Sequence, residues 1–131
     1  MSNIRKEIIE ISSNNKFLVE KHISLKLKNA FDMREETRCS QGRIDLENDD
    51  MIIEVKKASK WKHGMGQLLA YATNKEHKNK AKILYLFDHS NFSGHYKKMV
   101  IRTCSYYKIY AIFHKYAQSE DKKTILFIYK K

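Results

Sequence analysis

Two carboxylates and a lysine lie close together in two short segments where polar and apolar residues alternate. They are Asp45, Glu54 and Lys56. If the chain reverses at residues 49–50, Asp45 faces Glu54 across an antiparallel pair of strands, and Arg43 faces Lys56. Side chains two positions apart in a strand project from the same face, so all four would share one face. The apolar side chains between them would point into the core from the other face: Ile44, Leu46, Ile53 and Val55.

This arrangement of side chains suits metal-dependent chemistry on phosphate. Carboxylates held about 5 Å apart repel each other, and a divalent cation placed between them removes the repulsion. Carboxylate oxygens are suitable ligands for Mg²⁺ or Mn²⁺, with water and substrate phosphate completing the coordination. Such an ion can polarise a phosphoryl oxygen and lower the pKa of a bound water. Lys56 could stabilise the charge that develops on phosphorus. Alternation alone also fits a solvated polar face on an amphipathic hairpin.

The rest of the chain predicts the elements that would hold this hairpin. Polar residues 12–15 can cap a helix that runs to about Phe31, and a strand follows over residues 33–39. Apolar residues at helical spacing predict a helix over residues 62–75. The other predicted elements are strands at 42–47, 51–56, 82–87, 107–114 and 124–129 and a helix at 92–103. We expect a single α/β domain over residues 1–131, with a central mixed β-sheet flanked by helices in the order αβββαβαββ.

A carboxylate falls on the apolar side of the first predicted helix. Ile23, Leu27 and Phe31 mark that side, and Glu20 lies within the same sector. A carboxylate that faces a core is costly unless a partner compensates its charge. Glu20 therefore either reaches water from the edge of the apolar stripe or has a partner such as a metal ion.

The spacing of the hairpin residues is similar to that of a known family. Asp45, followed after eight residues by Glu54-Val55-Lys56, resembles the D…(D/E)-x-K core of the PD-(D/E)XK nuclease superfamily. The family core is a helix, a three-stranded meander, a helix and a strand, and the elements predicted over residues 13–87 follow that order. The short spacing of the acids is most similar to that of resolvase-type members. The resemblance implies a restriction-endonuclease-like fold.

The resemblance also implies roles for the hairpin residues. Asp45 and Glu54 would bind the metal ion directly, with the backbone carbonyl of Val55 as a third ligand. Lys56 would position the attacking water.

Two further residues match positions of the family. Glu20 resembles the additional acid that many members carry on the first helix, which implies binding of a second metal ion or support of the first through water. Gln67, within residues 66–71, resembles a glutamine on the helix after the E-x-K strand, which implies that it orients a ligand or contacts a phosphate.

The charge of the chain is unevenly distributed. The formal net charge is +11. Residues 32–54 carry eight acidic and three basic side chains, whereas residues 55–131 carry seventeen basic and four acidic ones. A basic protein attracts polyanions such as nucleic acid, and an acidic segment within it suits a cation. The alternative is that the basic composition only provides solubility.

A basic segment follows the predicted hairpin directly. Its members are Lys57, Lys60, Lys62 and His63, with Trp61 among them. Basic side chains can contact phosphates, and an exposed indole ring can stack on a base. We expect these five residues and Arg43 to contact nucleic acid. For Trp61 the alternative of packing on the core remains open.

Two other groups of residues have different expected roles. A second basic run is expected at an exposed turn, where it adds long-range attraction: Lys75, Lys78, Lys80 and Lys82. Three tyrosines are expected to serve core and surface packing rather than base stacking: Tyr106, Tyr107 and Tyr110.

The predicted function is a Mg²⁺-dependent endonuclease that hydrolyses phosphodiester bonds in DNA, with branched or junction DNA and mobile-element or viral targets among its candidate substrates. Other polynucleotide substrates, such as RNA or single strands, form the first alternative. The second is a non-catalytic nucleic-acid-binding protein built on a nuclease-like fold. The third is a basic protein that blocks a host enzyme.

Two expectations concern partners and compartment. One catalytic centre cannot cut both strands of a duplex, so we expect a homodimer. No apolar run reaches the length of a transmembrane helix, and residues 1–10 lack the apolar stretch of a signal peptide. We therefore expect no membrane partner and an intracellular location, in the cytoplasm, nucleoid or nucleus, with a viral or phage protein inside a host cell as one case.

Overall fold

The structure, a computed structural model, describes residues 8–12, 20–88, 92–115 and 123–128. Its elements in chain order are β1 (Ile8–Ser12), α1 (Glu20–Phe31), β2 (Arg34–Cys39), β3 (Gly42–Glu47), β4 (Met51–Lys57), a 3-10 helix (Ala58–Lys60), α2 (Trp61–Tyr71), β5 (Ala81–Asp88), α3 (Gly94–Tyr106), β6 (Ile109–Lys115) and β7 (Lys123–Ile128).

In these ranges seven strands form one mixed sheet, in the order β1-β7-β6-β5-β4-β3-β2. β4, β5 and β6 run parallel, and the other neighbouring pairs are antiparallel. α2 connects β4 to β5, and α3 connects β5 to β6. Parallel strands with both faces covered read as continuous apolar runs. The buried run Ile83–Phe87 has this character and forms the middle of the sheet.

The core has one layer on each face of the sheet. On the face covered by α1, here the α1 face, the main buried residues are Ile23, Leu27, Leu46, Ile53, Val55, Ile83, Tyr85, Phe87 and Ile112. On the opposite face, here the α2–α3 face, they are Ile44, Ile52, Trp61, Met65, Leu68, Tyr71, Leu84, Leu86, Val100 and Cys104. Within β5 the residues alternate between the two layers, as strand geometry requires.

The α/β class and the mixed sheet flanked by helices are confirmed. One strand, β1, was not predicted. Its last residue is Ser12, so the helix cap predicted at residues 12–15 begins inside a strand. Residues 13–19 lie outside the described part of the chain. α2 ends at Tyr71 rather than at residue 75 because Asn74 donates a side-chain hydrogen bond to the Tyr71 carbonyl at 3.0 Å. Among the described helices, none is long and apolar enough to cross a membrane.

Candidate functional site

The hairpin of β3 and β4 turns where the sequence predicts. Leu46 pairs with Ile53 and Glu47 with Ile52, which is the register expected from a reversal at residues 49–50. The Asn48 side chain holds this turn, because its amide oxygen accepts hydrogen bonds from the backbone N–H of Asp50 at 2.8 Å and of Met51 at 3.0 Å. Asparagine suits such turns for this reason.

Beyond the Leu46 pair, carboxylates replace the backbone hydrogen bonds between the strands. The Asp45 N–H donates to Glu54 Oε2 at 3.0 Å. In return, the Val55 N–H donates to Asp45 Oδ2 at 3.0 Å. We call this pair of acids, Asp45 with Glu54, the acidic fork. These two hydrogen bonds join β3 to β4 where the backbone ladder between them ends.

The regular alternation of β3 is broken at the fork. Ile44 packs on the α2–α3 face and Leu46 on the α1 face, so the expectation that both side chains point the same way is wrong. β2 is irregular at the same level: Glu36, between the pairs of Glu35 with Leu46 and Thr37 with Ile44, has a φ of 52°. A strand that loses its ladder bonds on both sides is free to rotate, and local alternation then no longer predicts the face.

Burial and neighbouring charges act in opposite directions on the acidic fork. Glu54 is 0% exposed. Burial raises the pKa of the Asp45 carboxyl, while the Val55 hydrogen bond and the charge of Lys56 act to lower it. Burial, with the charges of Glu54 and Asp45, also raises the pKa of the Tyr71 hydroxyl to about 12. The fork is therefore a site where a negative charge is costly.

Helix α2 is tied to β3 beside the fork through two polar side chains. The Tyr71 hydroxyl donates to the Arg43 carbonyl at 2.6 Å, and Gln67 Nε2 donates to the Tyr71 hydroxyl at 3.3 Å. Tyr71 was not among the predicted site residues. Its signal in the sequence was its position one helical turn after Gln67. Both hydrogen bonds are made between groups of the protein itself, and they hold α2 in position against β3.

Lys56 lies on the same face as α2 and packs against it. A Cβ atom at Gly64 would come within 2.8 Å of Lys56 Cγ and 2.6 Å of Leu84 Cδ1, so only glycine allows α2 this close to β4. The Lys56 stem is therefore half-buried beneath α2, with its charge near Asp45. The structure thus brings together four of the predicted residues: Asp45, Glu54, Lys56 and, through Tyr71, Gln67.

The fit of a metal ion to the fork is limited. The described residues contain no group of three or more His, Cys, Asp or Glu side chains that could hold one. The two carboxylates each already accept a backbone N–H, and Val55 donates one of these bonds. Glu20 is the first residue of α1, but its side chain lies outside the described part of the chain. Coordination of Mg²⁺ or Mn²⁺ by Asp45, Glu54, Val55 and Glu20 stays a prediction.

Replacing Asp45 by asparagine should stabilise the protein more at pH 7 than at acidic pH. An acid whose pKa is raised by folding contributes stability that is complete below its unfolded pKa and is lost as the pH rises through the folded value. The side-chain oxygen of asparagine can still accept the Val55 N–H without carrying a buried charge. Urea unfolding of parent and variant at about pH 3, 5 and 7 measures the difference.

The matched control is Asp50→Asn, because Asp50 is exposed at the adjacent turn. Its effect on the free energy of unfolding should be small and nearly independent of pH. An Asp45→Asn variant that loses stability towards pH 7 would show that the ionised carboxylate supports the fold.

The basic segment, residues 57–63, presents three lysines and a histidine on a buried support. Lys57 ends β4, Lys60 ends the 3-10 helix, and Lys62 and His63 lie in the first turn of α2; all four are exposed. Within the described part of the chain, none of the four forms an ion pair. Cations that lack an acidic partner remain available to an external anion.

The other predicted nucleic-acid contacts are placed differently. Trp61 is only 7% exposed and packs in the core on the α2–α3 face. Its ring is therefore not exposed for stacking on a base. Its ring also lies 5.6 Å from the ammonium group of Lys62. Arg43 is exposed but pairs with Glu36 at 3.0 Å. The segment therefore presents lysines and a histidine, and no exposed aromatic ring.

Curated proteins of Acanthamoeba polyphaga mimivirus are similar to this chain, and each is named a KilA-N domain-containing protein. One is 45% identical over 80 residues, which cover 61% of this chain and 20% of the relative. A second is 44% identical over 69 residues, covering 53% and 27%. A third is 35% identical over 78 residues, covering 60% and 20%. The chain thus spans a fifth to about a quarter of the length of these relatives. No family model and no solved structure matches.

These relatives correct the family and activity predicted from the sequence. They are named for the KilA-N domain, so the recognition of a PD-(D/E)XK nuclease is wrong. The prediction of a Mg²⁺-dependent phosphodiesterase is wrong with it, and the nuclease, hydrolase and metal-binding descriptions are not supported. The restriction-endonuclease-like order is not confirmed. The physical source of the error is that two acids at this spacing also serve as backbone acceptors between strands. What the comparisons establish is that most of this chain resembles a segment of mimiviral KilA-N domain-containing proteins.

Proposed function

We propose that this chain is a non-catalytic nucleic-acid-binding module that holds DNA through the basic segment, residues 57–63. The observation that carries the proposal is the set of three exposed lysines and one exposed histidine without a carboxylate partner in the described part of the chain. The similarity to mimiviral KilA-N domain-containing proteins is consistent with a nucleic-acid partner. The net charge of +11 supplies the long-range attraction that draws a polyanion to the surface.

The buried residues of the segment make it a firm support for phosphate contacts. Ala58 and Trp61 are buried, and Lys57, Lys60 and Lys62 project from the chain around them. A lysine whose backbone is already ordered loses less conformational freedom on binding than one in a mobile loop. Contacts to phosphate fix register and orientation but carry no base information. We therefore expect strongly salt-dependent binding with little sequence preference.

The homodimer predicted for strand cleavage stays a prediction. Two catalytic centres were its only support, and binding alone does not require a second copy. We further propose that the protein acts inside a host cell, which is supported by the viral origin of its relatives.

Binding of a labelled duplex, followed by fluorescence anisotropy over a range of salt concentrations, tests the proposal. The double variant Lys57→Gln/Lys60→Gln should bind more weakly, and the slope of log affinity against log salt should fall by about 2, or about 1 for each lost phosphate contact. The matched control is Lys75→Gln/Lys78→Gln, which removes the same charge from exposed positions elsewhere. It should change affinity much less and leave the slope nearly unchanged, because distant charges are screened at physiological salt.

Two results would contradict the proposal. One is a parent protein that binds neither duplex nor single-stranded DNA at low salt. The other is supercoiled plasmid that the protein nicks or linearises in the presence of Mg²⁺ and leaves intact in EDTA, which would establish catalysis. Circular dichroism of each variant verifies that altered binding does not come from unfolding.

A further inference from the structure

The C-terminal end of α3 exposes two neighbouring tyrosine rings. Tyr106 is 77% exposed, the largest value among the bulky apolar residues that the structure describes, and Tyr107 beside it is also exposed. The ring centroids lie 5.0 Å apart at an angle of 81°. The two rings are in a T-shaped contact, and the Tyr106 ring remains exposed to solvent.

Cations surround this tyrosine pair. Lys108 follows Tyr107 directly, and Arg102 lies one helical turn before Tyr106; both side chains are exposed. Lys82, at the start of β5, is half-buried near Lys108, and its pKa is lowered by burial and by the charge of Lys108. Among the described residues, none of the three cations has an ion-pair partner. Two lysines that repel each other are stabilised by an anion beside them.

Hydrogen bonds to the last carbonyls of α3 reduce the partial negative charge at its C-terminal end. The Tyr107 N–H contacts the carbonyls of Thr103 and Cys104, and the Lys108 N–H donates to the Ser105 carbonyl at 3.1 Å. The helix itself, residues 94–106, contains no Asp or Glu. The partial negative charge of a helix C-terminus comes from unpaired carbonyls, so these bonds reduce its repulsion of an anion.

The other end of α3 touches the basic segment. The Tyr96 hydroxyl, in the first turn of α3, donates to the Ala58 carbonyl at 2.6 Å. Tyr106 lies ten residues further along the helix, a distance of about 15 Å at 1.5 Å per residue. At about 3.4 Å per nucleotide, this length corresponds to roughly four nucleotides of a strand. One short strand can therefore reach both the basic segment and Tyr106.

We infer that Tyr106 is a stacking site for an unpaired base, with Lys82, Arg102 and Lys108 receiving the phosphates beside it, so that the protein prefers single-stranded nucleic acid to duplex. Bases inside a duplex are already stacked on each other, so only an unpaired base can present its face to the ring. Single-strand-binding surfaces combine cations with exposed aromatic rings in this way. The inference rests on the proposed nucleic-acid binding and specifies the form of the ligand.

The test compares a labelled oligothymidine of about ten nucleotides with a duplex of the same length, for parent, Tyr106→Leu and Tyr106→Phe proteins. Leucine removes the aromatic face and phenylalanine retains it. We expect Tyr106→Leu to weaken single-strand binding about tenfold and duplex binding less than twofold, with Tyr106→Phe close to the parent. Because Tyr106 is exposed, both variants should fold.

The remaining outcomes distinguish failure of the stacking site from failure of the proposed function. If the parent binds single strand and duplex but Tyr106→Leu weakens both equally or neither, the stacking site is refuted while nucleic-acid binding stands. If the parent binds neither ligand, the proposed function itself fails. A Tyr106→Phe variant that is as weak as Tyr106→Leu would also refute stacking, because it would assign the effect to the lost hydroxyl.

Discussion

Replacing Glu47 by alanine should lower the free energy of unfolding by about 3–5 kcal/mol, because it removes a buried carboxylate and leaves the largely buried ammonium group of Lys80 without its anion. Glu47 is 4% exposed at the end of β3. Its Oε1 accepts hydrogen bonds from Arg34 Nε at 3.0 Å and Nη2 at 2.6 Å. Lys80 Nζ lies 3.7 Å from Oε1, and His77 Nε2 lies 3.8 Å from Oε2. Without Glu47, the largely buried Lys80 and His77 would lose the carboxylate beside them.

Urea unfolding followed by circular dichroism measures this effect, and two variants control it. Glu47→Gln keeps the size and one acceptor oxygen, so it should cost less than alanine. Glu35→Ala removes an exposed pair with Lys28, joined at 3.1 Å, and should cost less than about 1 kcal/mol. If Glu47→Ala is no more destabilising than Glu35→Ala, the buried ion pairs contribute little to the fold.

Replacing Trp61 by alanine should also cost about 3–5 kcal/mol, because it empties a large volume beneath the basic segment. Trp61 packs on the α2–α3 face among residues such as Met65 and Leu68. The cavity left by the indole cannot close fully against a sheet that is fixed on its other side. The control is Leu25→Ala, which truncates an exposed apolar side chain on α1 and should change stability by about 0.5 kcal/mol or less.

A second Trp61 variant separates its structural role from contact with nucleic acid. Trp61→Phe keeps an aromatic ring in the core and should be less destabilising than alanine. Because the ring is buried, DNA affinity should be unchanged at temperatures where the variant remains folded. A large loss of affinity in the folded Trp61→Phe protein would show that the indole reaches the nucleic acid.

The Glu47 and Trp61 predictions concern side chains that anchor the two ends of the β3–β4 hairpin. Glu47 joins the β3 end to the turn before β5, and Trp61 anchors the basic segment that leaves β4. Loss of either support should therefore reduce DNA binding only through the folded fraction. The direct contacts are assigned to exposed lysines, whose substitution should leave stability nearly unchanged.

Local chemistry was sufficient to predict the hairpin and much of the sheet. The turn at residues 48–50 and the pairing of Leu46 with Ile53 follow from asparagine chemistry and strand alternation, which act over a few residues. The buried strand at residues 83–87 follows from its continuous apolar run. The sign of a side chain's charge is also a local property, so the basic character of residues 57–63 was evident from the sequence.

The roles of the acids depended on residues distant in the chain or on backbone geometry. Glu47 meets His77 and Lys80 only because β3 and the turn before β5 fold together. Asp45 and Glu54 lie on neighbouring strands, and the hydrogen bonds that each accepts come from backbone N–H groups where the strands part. Spacing determines which side chains can approach each other. The hydrogen-bond partner that a buried polar group finds is decided by the three-dimensional packing around it, because most such groups are satisfied by the donors and acceptors that this packing brings near.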